Sequence, residues 1–183
     1  MNYLKVSILF ILFSYSISAQ EDSKLLNLVN ICRTQPKEFL NNYVLPYLEM
    51  HKEENTNYAK SLIRELKTMK PISALKETPD LKRMALDYAT YMGTKGFVGH
   101  KQTDARFKAN SVQYEFLGEN CSYGFDQSLD ILMQLLIDDG ESDLGHRKNI
   151  LNPNFQYIGI AIAPHKKLTW NCVMEFGGSI LNK

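Results

Sequence analysis

The last quarter of the chain holds two strand-like runs, Tyr157-Ile158-Gly159-Ile160-Ala161-Ile162 and Thr169-Trp170-Asn171-Cys172-Val173-Met174-Glu175-Phe176, around a turn at Pro164 to Lys167. So close in sequence, they predict an antiparallel hairpin. Most of what precedes them has helical period. Lys24 to Arg33 and Pro36 to Met50 carry apolar residues at helical spacing, with Pro36 where a first turn tolerates it, and Tyr58, Leu62, Leu66 and Met69 mark a further short helix. The clearest helix has Thr78 as cap, Pro79 in its first turn, Leu81, Met84, Ala85, Tyr88 and Met92 on one stripe, and Gly96 as stop. After a polar loop, Phe116 to Tyr123 reads as a strand. Asp126 can then cap a helix whose apolar positions, Leu129, Leu132 and Leu136 with Ile131 and Leu135, cover most of its circumference. Helices, then strand, helix and terminal hairpin predict an α/β fold: a small, mainly antiparallel central sheet covered on both faces, a three-layer α-β-α sandwich.

Residues 1–19 read as a secretory signal peptide, with Lys5 near the start, an apolar run from Val6 to Ile17 and small residues before a cleavage point ahead of Gln20. That run is too short to span a bilayer. The mature chain is therefore expected to be exported, to the periplasm or the medium, with no transmembrane segment. One of the 21 Lys and Arg residues lies in the leader, which leaves 20 against 20 acidic residues. A net charge near zero argues against a nucleic-acid partner. The 164 residues left when 19 are taken from 183 contain no internal repeat and suit one domain, residues 20–183.

Cys32, Cys121 and Cys172 all lie in the mature part, where an oxidising compartment allows at most one internal disulfide. Cys32 follows Leu25, Leu28 and Val29 at helical spacing and reads as a buried free thiol. Cys121 and Cys172 fall in strand-like segments and are expected to pair, against the alternative of two core thiols. Asn120-Cys121-Ser122 matches a glycosylation acceptor, in a position expected to be too buried for modification.

Three glycine-flanked stretches carry the polar chemistry: Gly99-His100, Gly118-Glu119-Asn120, and Gly145-His146-Arg147-Lys148-Asn149-Ile150-Leu151-Asn152-Pro153. The glycines let the backbone turn tightly, so that two histidines and a carboxylate can converge on one shallow site. Neutral imidazoles with a carboxylate suit zinc or another divalent cation and leave positions for water or a ligand. The structural alternative has His100 and His146 bonding Glu119 and nearby backbone to hold two loops against the sheet. Asn120 and Asn149 read as loop-fixing residues, and Arg147 as the partner of a nearby acid such as Asp143. No Gly-x-Ser-x-Gly elbow occurs, and neither Ser122 nor Ser142 has an activating context. Alternation along a strand would put Cys121 on the face of Glu119, where a Cys-His pair with His100 or His146 is conceivable. The stronger enzymatic version is a metal-activated water with Glu119 as general base.

His100 after a helix, Gly118-Glu119-Asn120 opening a strand, the Gly145 to Pro153 stretch and then Ile158-Gly159-Ile160-Ala161 resemble, in this order, the CAP superfamily. It comprises cysteine-rich secretory proteins, antigen 5 and pathogenesis-related proteins, and is also called SCP-like; the likeness is to its bacterial branch. The resemblance runs from Leu75 to the C-terminus and is looser from Lys24 to Met69. It implies an α-β-α sandwich whose surface cleft holds two histidines and two acids, here His100, Glu119 and His146. Animal and plant members supply the second acid from a Trp-x-x-Glu pattern; this chain has Leu135-Leu136-Ile137-Asp138-Asp139, which makes Asp138 the foremost candidate, then Asp139 and Glu141. By analogy, the family implies an exported binding or interaction module, with zinc at the cleft histidines or with a lipid, sterol or protein partner outside the cell. A metal-dependent hydrolase or protease using the same cleft is the alternative.

Overall fold

The computed structural model describes residues 20–53, 56–110 and 114–181. The leader expected at residues 1–19 lies outside them. Helix α1 covers residues 20–34. It is followed by α2 (Pro36–Phe39), a π-helical turn (Leu40–Val44) and α3 (Leu45–His51), then α4 (Asn57–Thr68). Strand β1 (Lys76–Glu77) leads into α5 (Pro79–Lys95) and α6 (Thr103–Asn110). Strand β2 (Leu117–Tyr123), α7 (Ser128–Ile137), α8 (Gly145–Ile150), β3 (Tyr157–His165) and β4 (Thr169–Gly177) complete the order.

The four strands run β1-β3-β4-β2, antiparallel except for the short parallel pairing of β1 with β3. Alternation along the strands divides two cores. Ile158, Ile160 and Ile162 of β3 and Cys172, Met174 and Phe176 of β4 face the core shared with Leu25, Val29, Leu62 and Ile131 of the first helices and α7. Fully burying each such aliphatic side chain contributes about 1.5–3 kcal/mol. The opposite face carries Ala161, Ala163, Val173 and Cys121 and meets Ala85, Tyr88, Ala89 and Met92 of α5.

Helix α5 packs closely on β3 because a glycine stands on each side of the contact, Gly93 on the helix and Gly159 on the strand. A Cβ on Gly159 would sit 2.1 Å from the Leu81 backbone, and one on Gly93 2.0 Å from the Pro164 carbonyl oxygen. The helix ends at Gly96 with φ +66°, a left-handed cap that suits glycine, and so releases the chain toward His100.

Several expectations change. Cys121 and Cys172 do not pair: the β2–β4 register sets Cys121 beside Val173 and Ser122 beside Cys172. The two thiols therefore point to opposite faces of the sheet, and all three cysteines are free and buried. Asp126 does not cap α7; its first amide, at Ser128, donates to the Glu21 carboxylate at 3.1 Å, and the Ser128 hydroxyl donates to the Glu21 carbonyl at 2.9 Å. Thr78 holds the cap position of α5 without a side-chain cap bond, because its hydroxyl pairs with that of Tyr114 at 2.9 Å. The segment read as a polar loop contains α6. The hairpin strands also run further than expected, β3 to His165 instead of Ile162 and β4 to Gly177 instead of Phe176.

Candidate functional site

His100 sits on the loop between α5 and α6, and two tyrosines fix its backbone. The Tyr88 hydroxyl donates to the Gly99 carbonyl at 2.8 Å and accepts from the Lys101 amide at 2.6 Å, while the Tyr123 hydroxyl accepts from the Gly99 amide at 2.9 Å. Gly99 itself has φ +89°, with open space beside its Cα. The ring then projects its Nδ1 onto Glu119 Oε1 at 2.7 Å. The Glu119 side chain is 2% exposed and the His100 side chain 46%, so a buried carboxylate aims a solvent-facing imidazole.

Glu119 belongs to a larger polar cluster. Arg106 of α6 lies 2.5 Å from Glu119 Oε2 and 2.8 Å from Glu175 Oε1, with its guanidinium 3.4 Å above the Tyr88 ring. Glu119 and Glu175 are cross-strand neighbours of β2 and β4. Burial pushes the Glu175 carboxyl well above the carboxylate range, and the Glu119 charge adds to this. Burial acts on Glu119 in the same direction. It is outweighed by hydrogen bonds from His100 and Glu175 and by the Arg106 charge, which hold Glu119 below its ordinary value. One proton is thus shared between two adjacent acids, held on the Glu175 side.

The second half of the site is built in the same way. Asp138 ends α7 at φ +58°; its Oδ1 holds His146 Nδ1 at 2.7 Å, and its Oδ2 accepts from the amides of His146 at 3.0 Å and Arg147 at 3.2 Å. The Asp138 side chain is 2% exposed and the His146 side chain 21%. The hydrogen bond to Asp138 raises the His146 pKa, burial opposes it, and the charges of Asp138, Glu141 and Asp143 add to the rise. Of the three acids considered, Asp138 is the one that holds His146; Asp139 and Glu141 line the cavity.

Asn120 and Asn149 lock the halves together. Asn120 donates to the His146 carbonyl at 2.9 Å, and Asn149 donates to Asn120 Oδ1 at 2.8 Å and to the Glu119 carbonyl at 3.3 Å. Asn120 is fully buried, which excludes it as a glycan acceptor in the folded protein. Arg147 pairs not with Asp143 but inward: buried, it donates to the carbonyls of Leu136, Ile137 and Tyr58, to Ser61 and to Glu65. It ties α8 to α7 and α4.

The two imidazole rings face each other with centroids 6.2 Å apart and planes 29° from parallel. They border a cavity of about 530 Å³ that also exposes Cys121, Val98 and Phe125. Cys121 Sγ lies 3.9 Å from His100 Nδ1. One ligand atom each from His100, Glu119 and Cys121 falls within 4.8 Å of the others.

The sequence profile of the cysteine-rich secretory protein family, CAP, matches residues 26–176. The chain belongs to the CAP family. No curated protein matches it. Among solved structures, this CAP chain is similar to an outer surface protein from Borrelia burgdorferi, at 16% identity and a TM-score of 0.50, over 67% of this chain and 89% of that one. It is also similar to an extracellular protein containing an SCP domain from Bacillus anthracis, at 18% identity and a TM-score of 0.49, over 67% of this chain and 39% of that one. A cysteine-rich secretory protein from Staphylococcus aureus follows at 21% identity and a TM-score of 0.46, over 68% and 40%. The chain thus spans about two fifths of the Bacillus and Staphylococcus proteins, and its likeness to the Borrelia protein is one of fold.

Within this CAP fold, sequence reasoning missed Arg106, Glu175, Tyr88 and Tyr123 as parts of the site. Glu175 left a signal: it is the only charge in the run from Thr169 to Phe176, two residues from Val173 and so on the α5 face. Arg106 left none, because α6 carries only Ala105, Phe107 and Ala109 as apolar residues and shows no stripe.

Proposed function

We propose that this CAP protein is an exported binding module whose cleft holds a divalent transition-metal ion, with zinc the best fit, at His100 and His146. The observation that carries the reading is the pair of imidazoles facing across one cavity, each fixed through Nδ1 by its own buried carboxylate. Such carboxylate partners orient a metal-binding histidine and raise its basicity. An ion bound in the ring plane lies about 3.2 Å from the ring centroid, so tetrahedral ligation by both rings sets their centroids about 5.2 Å apart. The observed 6.2 Å is wider by about 1 Å, so the half-exposed His100 ring has to turn toward His146 for both to hold one ion.

Glu119 has one oxygen on His100 and the other beside Arg106, which leaves neither directed at an attacking water. That favours binding over the metal-dependent hydrolase or protease. The cavity's apolar side, with Val98 54% and Phe125 38% exposed, favours a second occupant: a small ligand with an apolar body, of the lipid or sterol kind. Export rests on the leader-like residues 1–19 and the family; no helix among the described residues is long and apolar enough to cross a membrane.

The test is a calorimetric zinc titration of the protein beside a His100→Ala/His146→Ala double variant, at pH 7.5 and 5.5. Stoichiometric binding at pH 7.5 that is lost in the variant and weakened at pH 5.5 is expected. Equal heats from the two proteins would return the histidines to a structural role.

A further inference from the structure

Cys121 has no partner cysteine, yet it does not sit deep in the core. It is 7% exposed, lines the cavity beside His100, and leaves strand β2 on the same face as Glu119, two residues before it. The strand's own repeat thereby holds a carboxylate and a thiol side by side, with the His100 ring above both. We infer that Cys121 is a metal ligand, so that the cleft ion is anchored by His100, Glu119 and Cys121 and faced by His146, which makes the site selective for thiolate-seeking ions. This rests on the cleft being a metal site, and sets the ion at the Nδ1 edge of His100, where Glu119 serves as a donor in place of its role as orienting partner.

The geometry is near what an ion requires. With Zn–S about 2.3 Å and Zn–N and Zn–O about 2.0–2.2 Å, tetrahedral ligation sets nitrogen and sulfur about 3.6 Å apart and nitrogen and oxygen about 3.4 Å apart. The corresponding separations are 3.9 Å from His100 Nδ1 to Cys121 Sγ and 2.7 Å from His100 Nδ1 to Glu119 Oε1. The first closes by a few tenths of an ångström. The second opens by about 0.7 Å as the proton of the hydrogen bond gives way to the ion.

The donor chemistry also discriminates. One sulfur, one carboxylate oxygen and imidazole nitrogen suit zinc, cadmium or cobalt, and reject magnesium and calcium, which take oxygen alone. Burial pushes the Cys121 thiol well up, and the Glu119 charge adds to it, so the metal-free sulfur is a protonated, poorly reactive thiol. An ion that binds releases that proton to solvent and forms the metal–sulfur bond in its place, with no change of oxidation state.

Cobalt(II) titration of the purified, reduced protein reads the sulfur directly, through the thiolate-to-cobalt charge-transfer absorption that histidine and carboxylate ligands do not produce. One equivalent of cobalt is expected to raise this band in the native protein and not in Cys121→Ser. Zinc affinity should fall in Cys121→Ser by more than the roughly 10–100-fold that loss of an orienting partner costs. In the unsubstituted protein, one equivalent of zinc should slow alkylation of Cys121, read by peptide mapping, which keeps the test independent of whether the variant folds. Zinc bound with no charge-transfer band and unprotected Cys121 would overturn the assignment of the thiol while leaving the histidine site standing. Neither ion binding would remove both.

Discussion

Replacing Glu175 by glutamine should make the protein more stable at neutral and alkaline pH. The carboxyl is buried on the α5 face of β4, beside Glu119 and under Arg106. Burial first, and the Glu119 charge second, push it up to about 9 from an ordinary 4.5. A raised acid contributes stability that is fully present below the unfolded value and lost as pH rises through the folded one. Between about pH 4.5 and 9 the unfolded chain releases a proton that the folded protein keeps, at about 1.4 kcal/mol per pH unit. At pH 7 that amounts to on the order of 3–4 kcal/mol. Glutamine has the same shape, can accept from Arg106 and can donate to Glu119, and has no proton to lose. Urea denaturation followed through Trp170 should therefore show Glu175→Gln ahead by on the order of 3–4 kcal/mol at pH 7 and by more at pH 8, with the gap closing near pH 4.5. A variant less stable than the native protein at pH 8 would refute the reasoning, since it would mean that Glu175 is ionised and that its pairing with Arg106 is the stabilising interaction.

Four further outcomes follow from the same structure. Because Asp138 raises the His146 pKa, protons compete with the ion over a range extending above the ordinary histidine value, so zinc affinity in calorimetry should still be rising between pH 6.5 and 7.5; a flat profile would contradict this. Gly159→Ala places a methyl group 2.1 Å from the Leu81 backbone and should cost about 3 kcal/mol or more in urea denaturation, where an effect below 1 kcal/mol would mean that α5 can back away from the sheet. Asn149→Ala leaves the buried Asn120 amide oxygen unmatched and should cost about 1–3 kcal/mol while weakening zinc binding, both absent if the Asn120 bridge is dispensable. Alkylation in denaturant without reductant should modify both Cys121 and Cys172; a peptide linking the two would contradict the strand register.

The fold was legible where burial imposes a period. The stripe from Leu81 to Met92, the apolar girdle of α7 and the two terminal strands each announce their element, because each must bury one face or all of it. Helix α6 was not legible, because it is held by charge: Arg106 reaches two glutamates that lie 13 and 69 residues further on, and no local pattern records such a pairing. The cap of α7 failed for the same reason, since Glu21 is supplied from 107 residues away. The disulfide expectation turned on a register offset of one residue, which decides the face of every side chain and cannot be read from two separate strands. At the site, His100, Glu119 and His146 stood out because glycines flank them. Asp138 emerged only through family resemblance, and the structure brings it to His146. The buried arginines were misread or overlooked: Arg147 turns inward, and Arg33 donates to the carbonyls of Ser73, Ile150, Asn152 and Phe155. A long cation on a surface-like stretch gives no hint that its head is spent on backbone oxygens.

The measurement that meets the central claim most directly is long-range proton–nitrogen spectroscopy of the protein labelled with nitrogen-15 at its four histidines, before and after one equivalent of zinc. His51, whose ring bonds its own helix at Tyr47, and His165, which holds the β3–β4 turn and the Phe97 carbonyl, serve as internal controls. The account predicts that ring-nitrogen resonances of His100 and His146 move together and saturate at one ion per chain, with His51 and His165 unchanged. Four unmoved histidines, or a response confined to His51, would contradict it.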